Sequence, residues 1–224
     1  MLLRKTTITA YALGVAALLT GCSQSASTPA LSSHPPITTQ NGVLGTKPVG
    51  TAAGRTPGWI SPQAKAAKGL LYVADQGHQQ ITIFSQAKSQ DPQPVGTITE
   101  GISGPDGLAV DSKGKLYVSN FGNGTVTEYA KGKTSPSKTL TQAGSPKYIS
   151  VGQDGTVYVS NFNGSFNGQV LEYPKNSTTP KTKISFSTFP AGTALDKENN
   201  LYVAYNDGTN DDIEVLEFAP GSTQ

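Results

Sequence analysis

DSKGKLYVSNFGNGTVTEYAKG, residues 111–132, holds two short apolar runs, each closed by a turn rich in Gly, Asn or Lys. The same phrase returns as GQDGTVYVSNFNGSFNGQVLEYPKN at 152–176 and as DKENNLYVAYNDGTNDDIEVLEFAPG at 196–221. A looser copy, LLYVADQGHQQITIFSQ, lies at 70–86. Aligning Leu71, Leu116, Val157 and Leu201, each the first residue of a (Leu/Val)-Tyr-Val triplet, gives spacings of 45, 41 and 44 residues. A period of that size carried by strands predicts stacked β-sheets around an axis, the blades of a propeller. Helical repeats would need apolar runs of ten residues or more, and Pro or Gly interrupts every such stretch.

Each unit predicts the same four antiparallel strands. The first is DGLAVD (106–111), KYISVG (147–152) or AGTALD (191–196), each entered through a proline: Pro105, Pro146 or Pro190. Proline suits the start of a strand, where its missing N–H breaks no ladder bond. A tight turn of Gly, Asn and Asp leads to the second strand, the Tyr-Val segment. The third strand ends in an aromatic column, Phe84, Tyr129, Tyr173 and Phe218. A polar stretch then leads to an outer strand. GWIS at 58–61 is the candidate first strand of the loosest unit. Consecutive apolar residues in GLAV and LYV imply strands covered on both faces. Gly107 and Gly192 are expected to let inner strands approach closely, and the aromatics to fill the gaps between sheets further out. The predicted fold is therefore an all-β propeller of about four four-stranded antiparallel blades, at about 58–100, 101–143, 144–188 and 189–224. The fourth copy stops at FAPGSTQ, directly after its third strand, so an open arc that exposes blade faces, or part of a larger ring, is expected over a closed ring of four.

The chain has 224 residues, and its start reads differently. Arg4 and Lys5 precede an apolar run too short to be a lasting membrane span, the pattern of an export signal over 1–21. The run ends in Leu19-Thr20-Gly21-Cys22, which resembles a bacterial lipobox. That resemblance implies lipidation of Cys22 and anchoring in a bilayer, firm if two or more chains are attached. Cys22 is the single cysteine, so no internal disulfide, thiolate cluster or thiol nucleophile is available. Residues 22–57 are rich in Ser, Thr, Pro and Gly and predict a flexible tether, whose span would be about 30–35 Å. The expected location is the cell envelope, lipid-anchored, on the periplasmic or cell-surface side. Arg4 and Lys5 are two of 17 basic residues, so loss of the leader leaves 15 against 15 acids. No basic block points to nucleic acid.

Candidate chemistry gathers where the second strand ends. Asp75, Asn120 and Asn161 occupy one column, and Asn206 follows Tyr205 in the fourth copy. Two readings stand for them. They cap the following turn with their side chains, or they form a ring of oxygen ligands suited to a hard cation such as Ca²⁺. Repetition favours the cap, because a catalytic site needs unlike residues. Glu128, Glu172 and Glu217 form another column, read as hydrogen-bonding residues at the rim or between blades. Asp111 and Asp196 read as turn residues. His34 lies in the tether, so His78, in the turn DQGHQQ, is the single histidine of the repeat region.

GPDGLAVDSKGKLYVSNFGNGTVTEYAKG and the unit around LYVAYN resemble NHL-type propeller repeats, within the broad group that includes gluconolactonase-like and streptogramin-lyase-like propellers. The resemblance covers about 59–224. Such propellers usually carry six blades against the four counted here. The lactonase-like members imply an axial divalent metal held by Glu, Asn and Asp, a set not matched motif by motif in this chain. The lyase-like members imply a histidine at the mouth, which places attention on His78. The expected function is a membrane-anchored binding module for a protein, a glycan or a small ligand, with no resident cofactor. A metal-dependent lactonase or lyase is the alternative, and assembly through exposed blade edges a third.

Overall fold

The computed structural model describes residues 6–7, 58–61, 69–85, 93–162, 167–206 and 213–223. Cys22, the tether and nearly all of the leader lie outside the described residues. No described helix is long and apolar enough to cross a membrane. The described chain is all β, in four antiparallel sheets of four strands.

Sheet two is the most regular. It runs β6 (Pro105–Val110), β7 (Leu116–Asn120), β8 (Thr125–Tyr129), β9 (Lys138–Leu140), in chain order from inner to outer strand. Sheet three repeats it with β10 (Ser145–Val151), β11 (Val157–Phe162), β12 (Gly168–Tyr173) and β13 (Thr182–Phe186). The register is the same in both: Leu116 faces Tyr129, and Val157 faces Tyr173. Each inner strand carries a register shift just after its proline, at Pro105/Leu108, Pro146/Tyr148 and Pro190/Gly192. The proline supplies no N–H at that point, so a bulge there costs little pairing.

Sheets one and four differ at their edges. Sheet four holds β14 (Pro190–Leu195), β15 (Leu201–Asn206) and β16 (Ile213–Phe218), and its outer place is taken by β1 (Thr6–Thr7), with Thr6 opposite Val215. That pair of threonines lies in the stretch read as an export signal, so a chain that loses this stretch presents the edge of β16 uncovered. Sheet one holds β3 (Leu70–Asp75), β4 (Gln80–Ser85) and β5 (Pro94–Ile98). Here one expectation is corrected. Trp59–Ile60 (β2) is not the inner strand; it pairs with β5 at the opposite, outer edge. Gly96 makes this possible, since a Cβ there would stand 2.7 Å from the Trp59 carbonyl oxygen.

The sheets stack face on face, and the repeat explains how. Odd and even positions of a strand point to opposite faces. In every sheet one face carries the Leu/Val pair of the second strand and the aromatic of the third. The other carries the Tyr of the second strand. Ile81 and Ile83 of sheet one meet Leu116, Val118 and Tyr129 of sheet two. Tyr117 and Val126 of sheet two meet Val157, Val159 and Tyr173 of sheet three. Tyr158 and Val170 of sheet three meet Leu201, Val203 and Phe218 of sheet four. Val118, Val159 and Val203 are wholly buried, and full burial of such a side chain contributes about 1.5–3 kcal/mol. Their counterpart in sheet one, Val73, is 40% exposed. The arc of four sheets does not close on itself, and among the described residues no sheet packs on that face. The aromatic column behaves accordingly: Tyr129, Tyr173 and Phe218 are buried, and Phe84 is half-buried.

Candidate binding face

Antiparallel pairing brings the start of each first strand, the end of each second and the start of each third to one end of the arc. Asp75, Asp106, Asn120, Lys147, Asn161 and Asn206 thus share a face. The structure gives these residues different surroundings. Asn120 is wholly buried. Its Oδ1 accepts from the Ser103 N–H at 3.0 Å, and its Nδ2 donates to Thr127 Oγ1 at 3.1 Å and Thr125 Oγ1 at 3.3 Å. Asn161 is also buried and donates through Nδ2 to the Ala143 carbonyl at 2.7 Å. Both side chains tie the end of a second strand to the segment that enters the same sheet. Asn206 accepts a hydrogen bond at its backbone carbonyl from Thr188 Oγ1. Among the described residues no group of three or more His, Cys, Asp and Glu is placed to share a metal ion.

Asp75 and His78 form a pair. The His78 backbone N–H donates to Asp75 Oδ1 at 3.0 Å, and His78 Nδ1 lies 2.7 Å from Oδ2. Partial burial works against the Asp75 charge. The hydrogen bonds and charge of His78 outweigh it and hold the carboxyl below its ordinary range. The adjoining Gln79 accepts the Gly104 N–H at 2.6 Å, which fixes this turn against the entry to sheet two.

Beside this turn lies a cavity of about 330 Å³ lined by Ala74, Gln76, Pro105, Asp106, Phe121 and Lys147. Lys147 Nζ stands 3.4 Å from Asp106 Oδ2 and 5.3 Å from the centre of the Phe121 ring, so its ammonium is held by a carboxylate and an aromatic face together. Next to Lys147, Tyr148 projects from the inner strand with 41% of its surface exposed, as much as Phe121. Its ring lies 6.2 Å from that of Phe189, which in turn meets Phe162 edge-on at 6.0 Å. Two of these groups break the repeat. Tyr148 stands where sheets two and four have Gly107 and Gly192, and Lys147 where they have Asp106 and Ala191. In the recurring column the Asn120 side chain and the Asn161 Nδ2 are engaged by internal bonds, while the buried Asn161 Oδ1 has no hydrogen-bond partner among the described residues. Lys147 and Tyr148 depart from their columns, and that departure is the signal a sequence reading could have used.

The opposite end of the arc has a smaller cavity, about 80 Å³, between the 111–114 and 152–155 turns. Its buried charge is Glu128, 2.7 Å from Lys115 Nζ and 3.7 Å from Lys138 Nζ, with Ser137 Oγ donating at 3.1 Å. Burial opposes the charge. The Lys115 hydrogen bond, the Lys138 charge and Ser137 more than offset that, and the carboxyl sits below its usual range. These partners lie within sheet two, as the repeated Glu column predicts for a hydrogen-bonding residue at the rim.

No family model matches the chain, and no curated protein does. Solved structures do resemble it. Hydrazine synthase of Kuenenia stuttgartiensis superposes with a TM-score of 0.59 at 19% identity, over 73% of this chain and 45% of that one. Virginiamycin B lyase from Staphylococcus aureus gives 0.48 at 14% identity, over 75% and 56%. A streptogramin B lyase gives 0.47 at 16%, over 69% and 53%. The chain thus spans about half the length of the solved chains it matches. At such identities the likeness speaks for the fold alone.

Proposed function

We propose that this chain is a binding module whose contact surface is the face carrying Phe121, Lys147 and Tyr148, held at the outside of a membrane by a lipid on Cys22. The observation that carries it is the exposed Phe121 ring lining a cavity that also presents the Lys147–Asp106 ion pair, with a second exposed ring on the adjoining residue, Tyr148. Flat apolar surface next to charged donors and acceptors fits a ligand with an apolar face and hydroxyl groups, the chemistry of a saccharide. Exposed aromatics cost hydration unless a partner covers them. Titration of the full chain with a panel of soluble oligosaccharides tests this. Phe121→Ala and Tyr148→Ala should each weaken the strongest binder about tenfold, or 1.4 kcal/mol, with melting temperatures unchanged because both rings are already half in water. If no oligosaccharide binds, or binding ignores both substitutions, the reading fails. Cys22→Ser should move the protein from the membrane pellet to the soluble fraction.

A second reading is favoured by one geometric fact, the Asp75–His78 contact at the same end. A carboxylate that orients an imidazole is the arrangement of a general acid–base pair, so a lyase or lactonase chemistry would centre there. Turnover of a lactone probe that His78→Ala abolishes would establish it; inert protein would exclude that probe class.

A further inference from the structure

We propose that two copies of this chain dock head to tail, the Leu71/Val73 face of sheet one in each copy covering the Tyr202/Val215 face of sheet four in the other. The three junctions inside the arc all follow one rule. The face bearing the Tyr of the second strand receives the face bearing the Leu/Val pair and the aromatic of the next sheet. The two faces left over are one of each kind. Leu71 and Val73, with Phe84 opposite Leu71, are the first-sheet copy of the received face, and they are 54% and 40% exposed. Tyr202 and Val215, opposite Glu217 and Ala204, are the fourth-sheet copy of the receiving face, and Ile213 beside them is 47% exposed.

The arc therefore carries at one end the surface that its other end is built to bury. Two like ends would bring together faces that meet nowhere inside the molecule. Among the described residues the two ends do not close on each other, and a second copy supplies the matching surface with the register already used three times. Two copies joined at both ends make eight sheets, within the range of four to eight blades that propellers adopt. Such a contact is heterologous, so it closes into a finite pair when the rotation is right.

Cross-linking of the full chain tests the pairing and its direction. In a Cys22→Ser background, Val73→Cys and Ala204→Cys are prepared as separate proteins. Facing sheets lie about 10 Å apart, within reach of a short bis-maleimide. A product of two-chain mass should form when the two variants are mixed and not with either alone. Adding Leu71→Glu to the Val73→Cys variant should cut the yield at least tenfold while leaving the far-ultraviolet circular dichroism of the folded chain in place, since Leu71 is exposed within a single copy. Four results would each overturn the proposal: no product in the mixture, product from Val73→Cys alone, an intrachain link when both cysteines are in one chain, or a product containing a different protein.

Discussion

Gly107→Ala should lower the melting temperature by about 6–12 °C, while Gly192→Ala, at the same place in the repeat, leaves it unchanged or slightly higher. A Cβ on Gly107 would stand 1.9 Å from the Lys147 carbonyl oxygen and 3.1 Å from the Tyr148 Cα. Both obstacles are backbone of the neighbouring inner strand, so no side chain can swing away. Ser119 Oγ pins the same point, accepting from the Gly107 N–H at 2.6 Å and lying 2.8 Å from the Lys147 carbonyl. Parting the two strands breaks that bridge as well as the packing behind it. Overpacking typically costs 1–3 kcal/mol and sometimes more; about 3 kcal/mol corresponds to the shift given, at 2–4 °C per kcal/mol for a domain of this size. Gly192 meets nothing within 4 Å and its φ is not positive. Alanine there restricts the unfolded chain and can contribute about 0.4–1 kcal/mol. Thermal unfolding followed by circular dichroism decides the matter. Equal losses for the two variants would mean that the inner strands do not converge between sheets two and three as described.

Tyr129→Ala should cost about 3–5 kcal/mol, the range for removing a large buried aromatic, and Tyr129→Phe about 1–2 kcal/mol. The ring is 1% exposed and fills the outer part of the junction between sheets one and two. Its hydroxyl donates to the Glu100 carbonyl at 2.6 Å, across that junction. The next junction repeats the bond, Tyr173 to the Thr141 carbonyl at 2.9 Å. Phenylalanine keeps the ring and forfeits only this hydrogen bond; sheet four tolerates that, with Phe218 at the equivalent place. The same burial predicts an alkaline limit to stability. It pushes the Tyr129 and Tyr158 phenols up to about 12, and those of Tyr117 and Tyr173 further still. Above pH 10 the unfolded chain ionises its tyrosines first and binds fewer protons than the folded one. Stability therefore falls as pH rises from 10 through 12. Urea midpoints that stay level across that window would contradict the burial of these phenols.

The repeat made the strands legible because sheet structure is written locally. A two-residue period, a proline before the strand and a glycine or asparagine in the turn fix where Leu116–Asn120 and Thr125–Tyr129 begin and end. The aromatic column was legible for the same reason: four copies of one position report one environment. The Asn column was legible as a column, but its job was not. Whether Asn120 reaches a cation or the Ser103 N–H depends on a segment 17 residues away.

What the sequence by itself determined is the blade: its strands, its register and which residues share a face, because those follow from backbone periodicity and turn chemistry within about 40 residues. Tertiary structure alone decided that Trp59–Ile60 joins the outer edge of sheet one and that Phe121, Lys147 and Tyr148 meet at one end. Each of those depends on which surface finds a partner to exclude water. That is a property of neighbours in space, and no single stretch of chain carries it.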